Sequence, residues 1–242
     1  MISPDIGMSG SGADFVQRIF RNVSGTYEPI NHIITLGLDI VWRRKAIATA
    51  VKAGGSRWAD MCTGTGETAV YLSHLSAKGT IIYAVDFSLP MLKEAKKKQE
   101  TADIVFVSSD IKKLPFPDNS LDLITMTFAS RNINLTRDIL VRSFAEFYRV
   151  LKPGGRFVNL DTSQPSLKPA RKLLDLYVRL FVEFIGSRIS GMRTPYAYLT
   201  KTILCFYPPE ELADIIREAG FRETTFQKLF FGAAAVHQGI KQ

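Results

Sequence analysis

Cysteine is scarce in this 242-residue chain: Cys62 and Cys205 stand far apart and form no paired metal or redox motif. That excludes a disulfide framework and cysteine-ligated zinc, and it suits a reducing compartment. No run reaches the roughly 18 uncharged apolar residues that would cross a bilayer. The first dozen residues are small and polar, without the apolar centre of a secretory leader, so a cytoplasmic protein is expected. The G-x-x-x-x-G-K-[ST] cradle is missing, which argues against a nucleoside triphosphate. Repeats and low-complexity linkers are absent too. Acidic residues are outnumbered, 23 against 31 basic, leaving a net charge of +8. Lys93, Lys96, Lys97 and Lys98 crowd one short helix. That helix reads either as a solvated outer face or as a patch for anionic headgroups or nucleic acid.

What is present is an ordinary globular composition, 46% apolar and 22% charged, enough for one domain with a full core. Residues 1–12 are Gly/Ser-rich and expected to be mobile. Residues 13–242 read as a single domain. Phe15, Ile19, Phe20 and Val23 suggest an amphipathic helix ending near Gly25. A loop with Tyr27, Glu28, Pro29 and Asn31 follows, then a helix around Ile40–Arg44. Thereafter strands and helices alternate: strand 57–61, helix 67–76, strand 80–85, helix 88–98, strand 104–107, strand 121–127, helix 137–150 and strand 156–161. Alternation with nearly continuous apolar strands predicts a parallel sheet covered on both faces. Lys152-Pro153-Gly154-Gly155 reads as a helix stop and turn. The alternation breaks at about 165, and residues 165–205 are expected to form a small helical cap insertion. Within it 169–185 reads as a helix with an unusually wide apolar face, followed by a loop with Tyr196 and Tyr198. A helix at 208–219 and closing strands at 222–229 and 231–238 complete the chain.

The most informative segment is Trp58-Ala59-Asp60-Met61-Cys62-Thr63-Gly64-Thr65-Gly66-Glu67. A short apolar strand enters a tight Gly-containing turn and a helix follows. Gly64 and Gly66 let backbone approach a ligand. Asp86 ends the next apolar run, where a carboxylate can accept hydrogen bonds from both hydroxyls of a ribose. A dinucleotide site would carry a third glycine for its pyrophosphate; here Ala69 stands in that place and Glu67 opens the helix. An acidic residue there repels phosphate and tolerates an ammonium or a sulfonium. S-adenosyl-L-methionine is the cofactor this loop favours.

Taken with the rest of the chain, these residues resemble the ubiquinone/menaquinone biosynthesis C-methyltransferase family of class I S-adenosylmethionine-dependent methyltransferases. Tyr27-Glu28-Pro29-Ile30-Asn31 is similar to the family's Y-D-x-x-N. Leu114–Asn119, reading L-P-F-P-D-N, and Arg149–Arg156, reading R-V-L-K-P-G-G-R, match strongly. Phe128-Ala129-Ser130-Arg131-Asn132 resembles F-G-x-R-N, and Tyr198-Leu199 with Ala219-Gly220-Phe221 continue the likeness. The implied fold is α/β: a Rossmann-like, doubly wound, seven-stranded, mostly parallel sheet with an antiparallel C-terminal strand and the cap. The implied cofactor residues are Asp60, Gly64, Thr65 and Gly66 of the loop, Asp86 at the ribose, Asp110 and Ile111 at the adenine, and Thr127 near the sulfonium. Each has a plainer reading, since Asp86 or Asp110 could cap the next helix and Thr127 could fill a strand end. The chain departs from the family at Cys62, Thr63 and Glu67, and in Asp161-Thr162-Ser163-Gln164-Pro165, where a Glu-Phe-Ser-Lys-Pro-like word is usual.

The implied reaction is methylation of a quinol or phenolic ring carbon, with small phenols or sterols as the alternative acceptors. A ring carbon becomes nucleophilic when its neighbouring hydroxyl loses a proton. The resemblance gives catalytic roles to Arg131 and Asn132: the guanidinium, too basic to take the proton, stabilises the phenolate and Asn132 orients the ring oxygen. The plain alternative for Arg131 is an ion pair with a surface carboxylate. Tyr27, Asn31, Tyr196 and His237 are further candidates for the acceptor pocket, His237 equally for a satisfied strand histidine. The apolar 169–185 helix would cover a prenyl tail, or serve as core or a homodimer surface. No metal ligand set is read, and peripheral contact with the inner face of a membrane is expected. Nucleic acid is not expected: strand four ends Thr125-Met126-Thr127-Phe128, not the D/N-P-P-Y/F word that holds a flipped base.

Overall fold

The structure, a computed structural model, describes residues 27–98, 103–133, 136–182, 184, 188 and 194–242. The expected mobile stretch 1–12 and the helix from Asp14 lie outside the described residues.

Two helices lead in, α1 (Tyr27–Ile34) and α2 (Leu38–Ala50). The alternating body is β1 (Arg57–Met61), α3 (Glu67–Leu75), β2 (Ile81–Asp86), α4 (Leu89–Ala95), β3 (Ile104–Ser108), β4 (Leu121–Thr127), α5 (Ser130–Ile133), α6 (Arg137–Val150) and β5 (Leu151–Thr162). After it come α7 (Lys168–Tyr177) with a π-helical turn over Val178–Val182, α8 (Thr194–Leu204), α9 (Pro209–Glu218), β6 (Glu223–Leu229) and β7 (Ala234–Ile240). The seven strands are ordered β3-β2-β1-β4-β5-β7-β6. Strands β1 to β5 run parallel, and β7 lies antiparallel between β5 and β6. The order reverses at β1 and β4, and the crevice of an open α/β sheet forms at such a reversal, beyond the carboxyl ends of the strands.

The pleat sends alternate side chains to two apolar cores. Trp58, Ile82, Leu123 and Val158 meet Ile47 of α2 and Leu72 of α3 on one face. Met61, Ile124 and Phe157 meet Phe144 and Phe147 of α6 and Phe221 on the other. The Phe157 ring lies 5.1 Å from Phe144, 5.3 Å from Phe147 and 5.6 Å from Phe221. Each such buried ring contributes about 1.5–3 kcal/mol by area alone. A third cluster stands apart and builds the cap, with Ile30 and Ile34 of α1, Val178, Val182, Tyr196 and Ile203.

Two expected loops are helices. Tyr27–Asn31 opens α1, and Tyr196 and Tyr198 lie within α8. In both, a proline sits in the first turn, Pro29 as the third residue and Pro195 as the second. The N–H groups of a first turn have no intrahelical partner, so proline costs nothing there. The 169–185 helix is shorter in its α-helical part and passes into the π turn, and its last residues lie largely outside the described ones. Strand β5 begins at Leu151 rather than 156: Gly154 turns the chain at φ 78° while Leu151 already pairs with Leu121. Of the lysine helix, Lys97 pairs with Glu94 at 2.7 Å in solvent, and Lys98 reaches Glu28 at 2.7 Å, tying α1 to the turn after α4.

Candidate active site

The loop after β1 makes the first wall of a cavity of about 200 Å³ at the carboxyl edge of the sheet. Cys62 and Gly64 have φ of 53° and 56°, and Gly66 enters α3 at φ 81°. Thr63 N–H donates to the Val85 carbonyl and Gly66 N–H to the Thr63 carbonyl, so backbone bonds close the turn on itself and on the end of β2. A Cβ built on Gly64 would meet nothing within 4 Å, so glycine here leaves open cavity beside the main chain. Thr65, 7% exposed, lines the same wall. The Cys62 thiol is pushed well up by burial and by the carboxylates of Asp86, Asp60 and Asp110. It is a neutral wall atom.

Asp86 closes β2 with its carboxylate buried. One oxygen accepts the Gly64 N–H at 2.8 Å and the other the Ser88 N–H at 2.8 Å. Each oxygen keeps a second lone pair for a ligand. Burial raises its pKa, opposed by the backbone bonds from Ser88 and Gly64. The helix-capping and ligand-binding readings are thus compatible: the backbone bonds fix the carboxylate where a diol can meet it. Asp110 is exposed and makes an Asx turn with Lys112 N–H at 3.0 Å, while Ile111 beside it is buried. Both line the cavity.

The far wall comes from the end of β4. The Thr127 hydroxyl shares a 2.7 Å hydrogen bond with Thr68 of α3. Phe128, at φ 56°, turns the chain into α5, which carries Arg131 and Asn132 into the cavity. Arg131 is 4% exposed, and its Nη1 donates to Asp161 Oδ1 at 2.7 Å, while its backbone N–H donates to Asp161 Oδ2 at 3.2 Å. Arg131 is thus ion-paired, but with a buried carboxylate from β5 rather than a surface one, and it lines the cavity as well. The Asn132 amide makes a long 3.5 Å contact with the Phe128 carbonyl.

Helices α1 and α2 supply a further wall, lined by the candidate Asn31 and by Asp39 and Arg43, which sequence reasoning missed. Arg43, buried, lies 3.2 Å from Glu67 and 3.4 Å from Asp39, with its guanidinium 5.4 Å from the centre of the Phe128 ring. Thr35 donates to Asp39 at 2.6 Å and His32 meets its other oxygen at 2.7 Å. Burial raises the Glu67 carboxyl, and Arg43 opposes this. The signal available was the i,i+4 spacing of Asp39 and Arg43. Glu28, His32 and Glu67 bring ligand atoms within 4.8 Å of one another, yet Lys98, Asp39 and Arg43 already engage them. The roof is apolar: Ile34 from α1, with Leu199 and Ile203 from α8, beside Asn31.

Not every candidate converges. Asp60 does not line the cavity; buried, it accepts from Thr63 at 2.6 Å and Thr125 at 2.8 Å, holding the loop from beneath. Burial pushes its carboxyl up to about 7. Tyr196 packs in the cap core. His237 is a buried strand histidine on β7, its Nε2 2.9 Å from the Pro209 carbonyl and its ring 5.6 Å from Phe226. Burial lowers its pKa to about 4. It lies away from the cavity, so the acceptor-pocket reading of His237 is set aside.

The donor set fits an adenosyl amino acid: a buried carboxylate at a strand end for a diol, an open glycine cradle, an apolar shelf at Ile111, and an Arg43–Glu67 pair of both signs. Comparison with known proteins agrees. The model of the ubiE/COQ5 methyltransferase family matches residues 8–241. The chain is 36% identical over 226 residues to the ubiquinone/menaquinone biosynthesis C-methyltransferase UbiE of Desulfotalea psychrophila, covering 93% of this chain and 90% of that one. It is 37% identical over 232 residues to a demethylmenaquinone methyltransferase of Lactiplantibacillus plantarum, covering 94% and 96%. A SAM-dependent methyltransferase from Thermotoga maritima shares the fold at a TM-score of 0.65 with 22% identity, covering 94% of this chain and 100% of that one.

Proposed function

The chain belongs to the ubiE/COQ5 methyltransferase family, and we propose that it methylates a ring carbon of a demethylmenaquinol-type or ubiquinol-precursor acceptor at the expense of S-adenosylmethionine. One observation carries this reading: a single cavity is walled on one side by the Gly64 loop and Asp86, and on the other by Arg131, Asn132 and an apolar roof. Donor and acceptor halves thus share one space, as an in-line displacement requires.

S-adenosylmethionine, when bound, supplies an electrophilic methyl group. The chain's own residues do the rest. Asp86 would take the ribose hydroxyls, Gly64 and Thr65 would run alongside the amino-acid part, and Ile111 and Asp110 would flank the adenine. Arg43 would face the carboxylate of the amino acid and Glu67 its ammonium. Thr127, locked to Thr68, would stand at the sulfonium end.

Arg131 is the hydrogen-bond donor for a phenolate, and Asp161 behind it fixes the guanidinium's direction. Pairing lowers the field of that cation but preorganises it, which favours charge developing in one place. Asn132 orients the ring oxygen and the proton leaves through water. Ile34, Leu199 and Ile203 exclude water from the ring and receive the start of a prenyl tail.

Labelled S-adenosylmethionine incubated with demethylquinols, simple phenols and tRNA, followed by mass analysis, tests the reading. Label is expected on a quinol ring carbon. Label on tRNA or only on phenols would overturn it.

A further inference from the structure

The cap has an outer face whose large apolar side chains are mostly exposed. Leu173, Leu176 and Leu180 are 69%, 53% and 56% exposed along one side of α7 and the π turn, and Leu167, immediately before α7, is 63% exposed. The turn between β6 and β7 adds Phe230 and Phe231, 60% and 78% exposed. These pieces are neighbours: Gly232 abuts Pro165, and Lys228 of β6 donates to Ser166 at 2.9 Å, immediately before α7. Six large apolar side chains on adjoining elements exceed what a soluble surface scatters singly.

Two further facts narrow the occupant. Phe230 and Phe231 both hold left-handed backbone, φ 43° and 55°. Phenylalanine gains nothing from that conformation, so the chain bears strain to display two rings outward. The rim is cationic, with Lys168, Arg171, Lys172 and Arg179 all exposed along α7 and its π turn, against Asp175 as the carboxylate of that stretch. Exposed apolar and aromatic side chains bordered by lysine and arginine are the chemistry of an interfacial segment lying on anionic lipid.

We propose that α7, its π turn and the Phe230–Phe231 turn form a docking surface for an anionic bilayer, against which the cap lies flat. The inner side of the same elements supports this. Val178 and Val182 pack on Ile34 and Ile203, and the Tyr177 hydroxyl donates to the Ile34 carbonyl. Ile34 and Ile203 also roof the active cavity. One layer of side chains thus separates the lipid-facing surface from the acceptor space, and a quinol with its tail in the bilayer would reach the site through the cap without crossing water. The surface itself stands on the exposed residues; its use for substrate entry rests on the proposed function.

Sedimentation of the full chain with vesicles of phosphatidylcholine, alone or mixed with phosphatidylglycerol, tests it. Binding is expected only to the anionic vesicles and to weaken with salt. Phe230→Ser with Phe231→Ser, and separately Leu173→Gln with Leu176→Gln, should each weaken it by about tenfold or more. Circular dichroism and methyl transfer to a tail-less quinol should stay unchanged in both variants. No vesicle binding by the wild type, or unchanged binding by the variants, overturns the proposal. So does a dimer in sedimentation velocity that both variants abolish, because a second copy would then be the occupant. Failure of the wild type on the tail-less quinol would strike the functional reading while vesicle binding is judged on its own.

Discussion

Replacing Arg131 by Ala removes one half of an ion pair in which both partners are almost fully buried and 2.7 Å apart. Stranding a buried charge in this way costs about 3–5 kcal/mol. The abandoned Asp161 carboxylate retains the backbone N–H groups of Arg131 at 3.2 Å and Thr162 at 2.8 Å, so the low end, about 3 kcal/mol, is expected. For a domain of this size that lowers Tm by roughly 6–12 °C. The single variant therefore mixes instability with lost chemistry. Arg131→Met combined with Asp161→Asn removes both charges, and most of the stability should return. Urea unfolding of the three proteins measures the first effect. Turnover of the double variant at saturating donor measures the second and should fall about 10²- to 10³-fold, as when one charge-stabilising donor is lost. Affinity for S-adenosylhomocysteine should stay within a few-fold. Should the double variant regain stability and keep its turnover, Arg131 is a structural residue and its catalytic role is refuted.

Asp86→Asn keeps an acceptor for one backbone N–H but weakens the charge-assisted bonds to the ribose, each worth about 1.5–3 kcal/mol; S-adenosylhomocysteine affinity by calorimetry should drop roughly ten- to a hundred-fold. Gly64→Ala puts a methyl group into open cavity at φ 56°: stability should fall by about 1 kcal/mol, with a much larger loss of cofactor affinity than of fold. His237 titrates at about 4 in the folded protein against 6.5 ordinarily, so between those values the unfolded chain binds more protons. Stability is thus lost as pH falls through that window, and His237→Gln should flatten the slope by up to about 1.4 kcal/mol per pH unit, read from urea unfolding at successive pH values. Asp60 acts oppositely: its raised pKa, about 7, makes the folded chain bind more protons, so stability falls as pH rises from about 4 to 7. Asp60→Asn should lessen that fall, which the same titration series would show.

The sheet was largely legible because its strands are buried on both faces and read as continuous apolar runs. Strands 57–61 and 121–127 and helix 137–150 coincide with β1, β4 and α6. The Gly64 turn and Asp86 were legible because the first follows β1, the second ends β2, and their spacing carries the chemistry. What escaped was tertiary. Arg43 and Asp39 sit in an unremarkable helical stretch, and only folding of α2 against α3 brings them to Glu67. Asp60 lies in the fingerprint word, but the pleat turns its side chain toward Thr125 and away from the cavity. His237 has a polar tip on a strand, and nothing in its neighbours announces that β7 is covered by α9 through Pro209. Pro29 and Pro195 hid two helices because a first-turn proline reads the same as a loop proline.

The apolar cluster that joins α1, the π turn and α8 is separate from the two cores that clamp the sheet. Melting that small knot exposes few side chains, whereas melting the sheet exposes dozens, so the roof opens at a lower free-energy cost than the floor. Amide exchange should accordingly run in two tiers, fast over residues 194–204 and slow over β1, β4 and β5. A bulky guest would then enter by waiting for the roof and leave the donor's half of the cavity intact behind it.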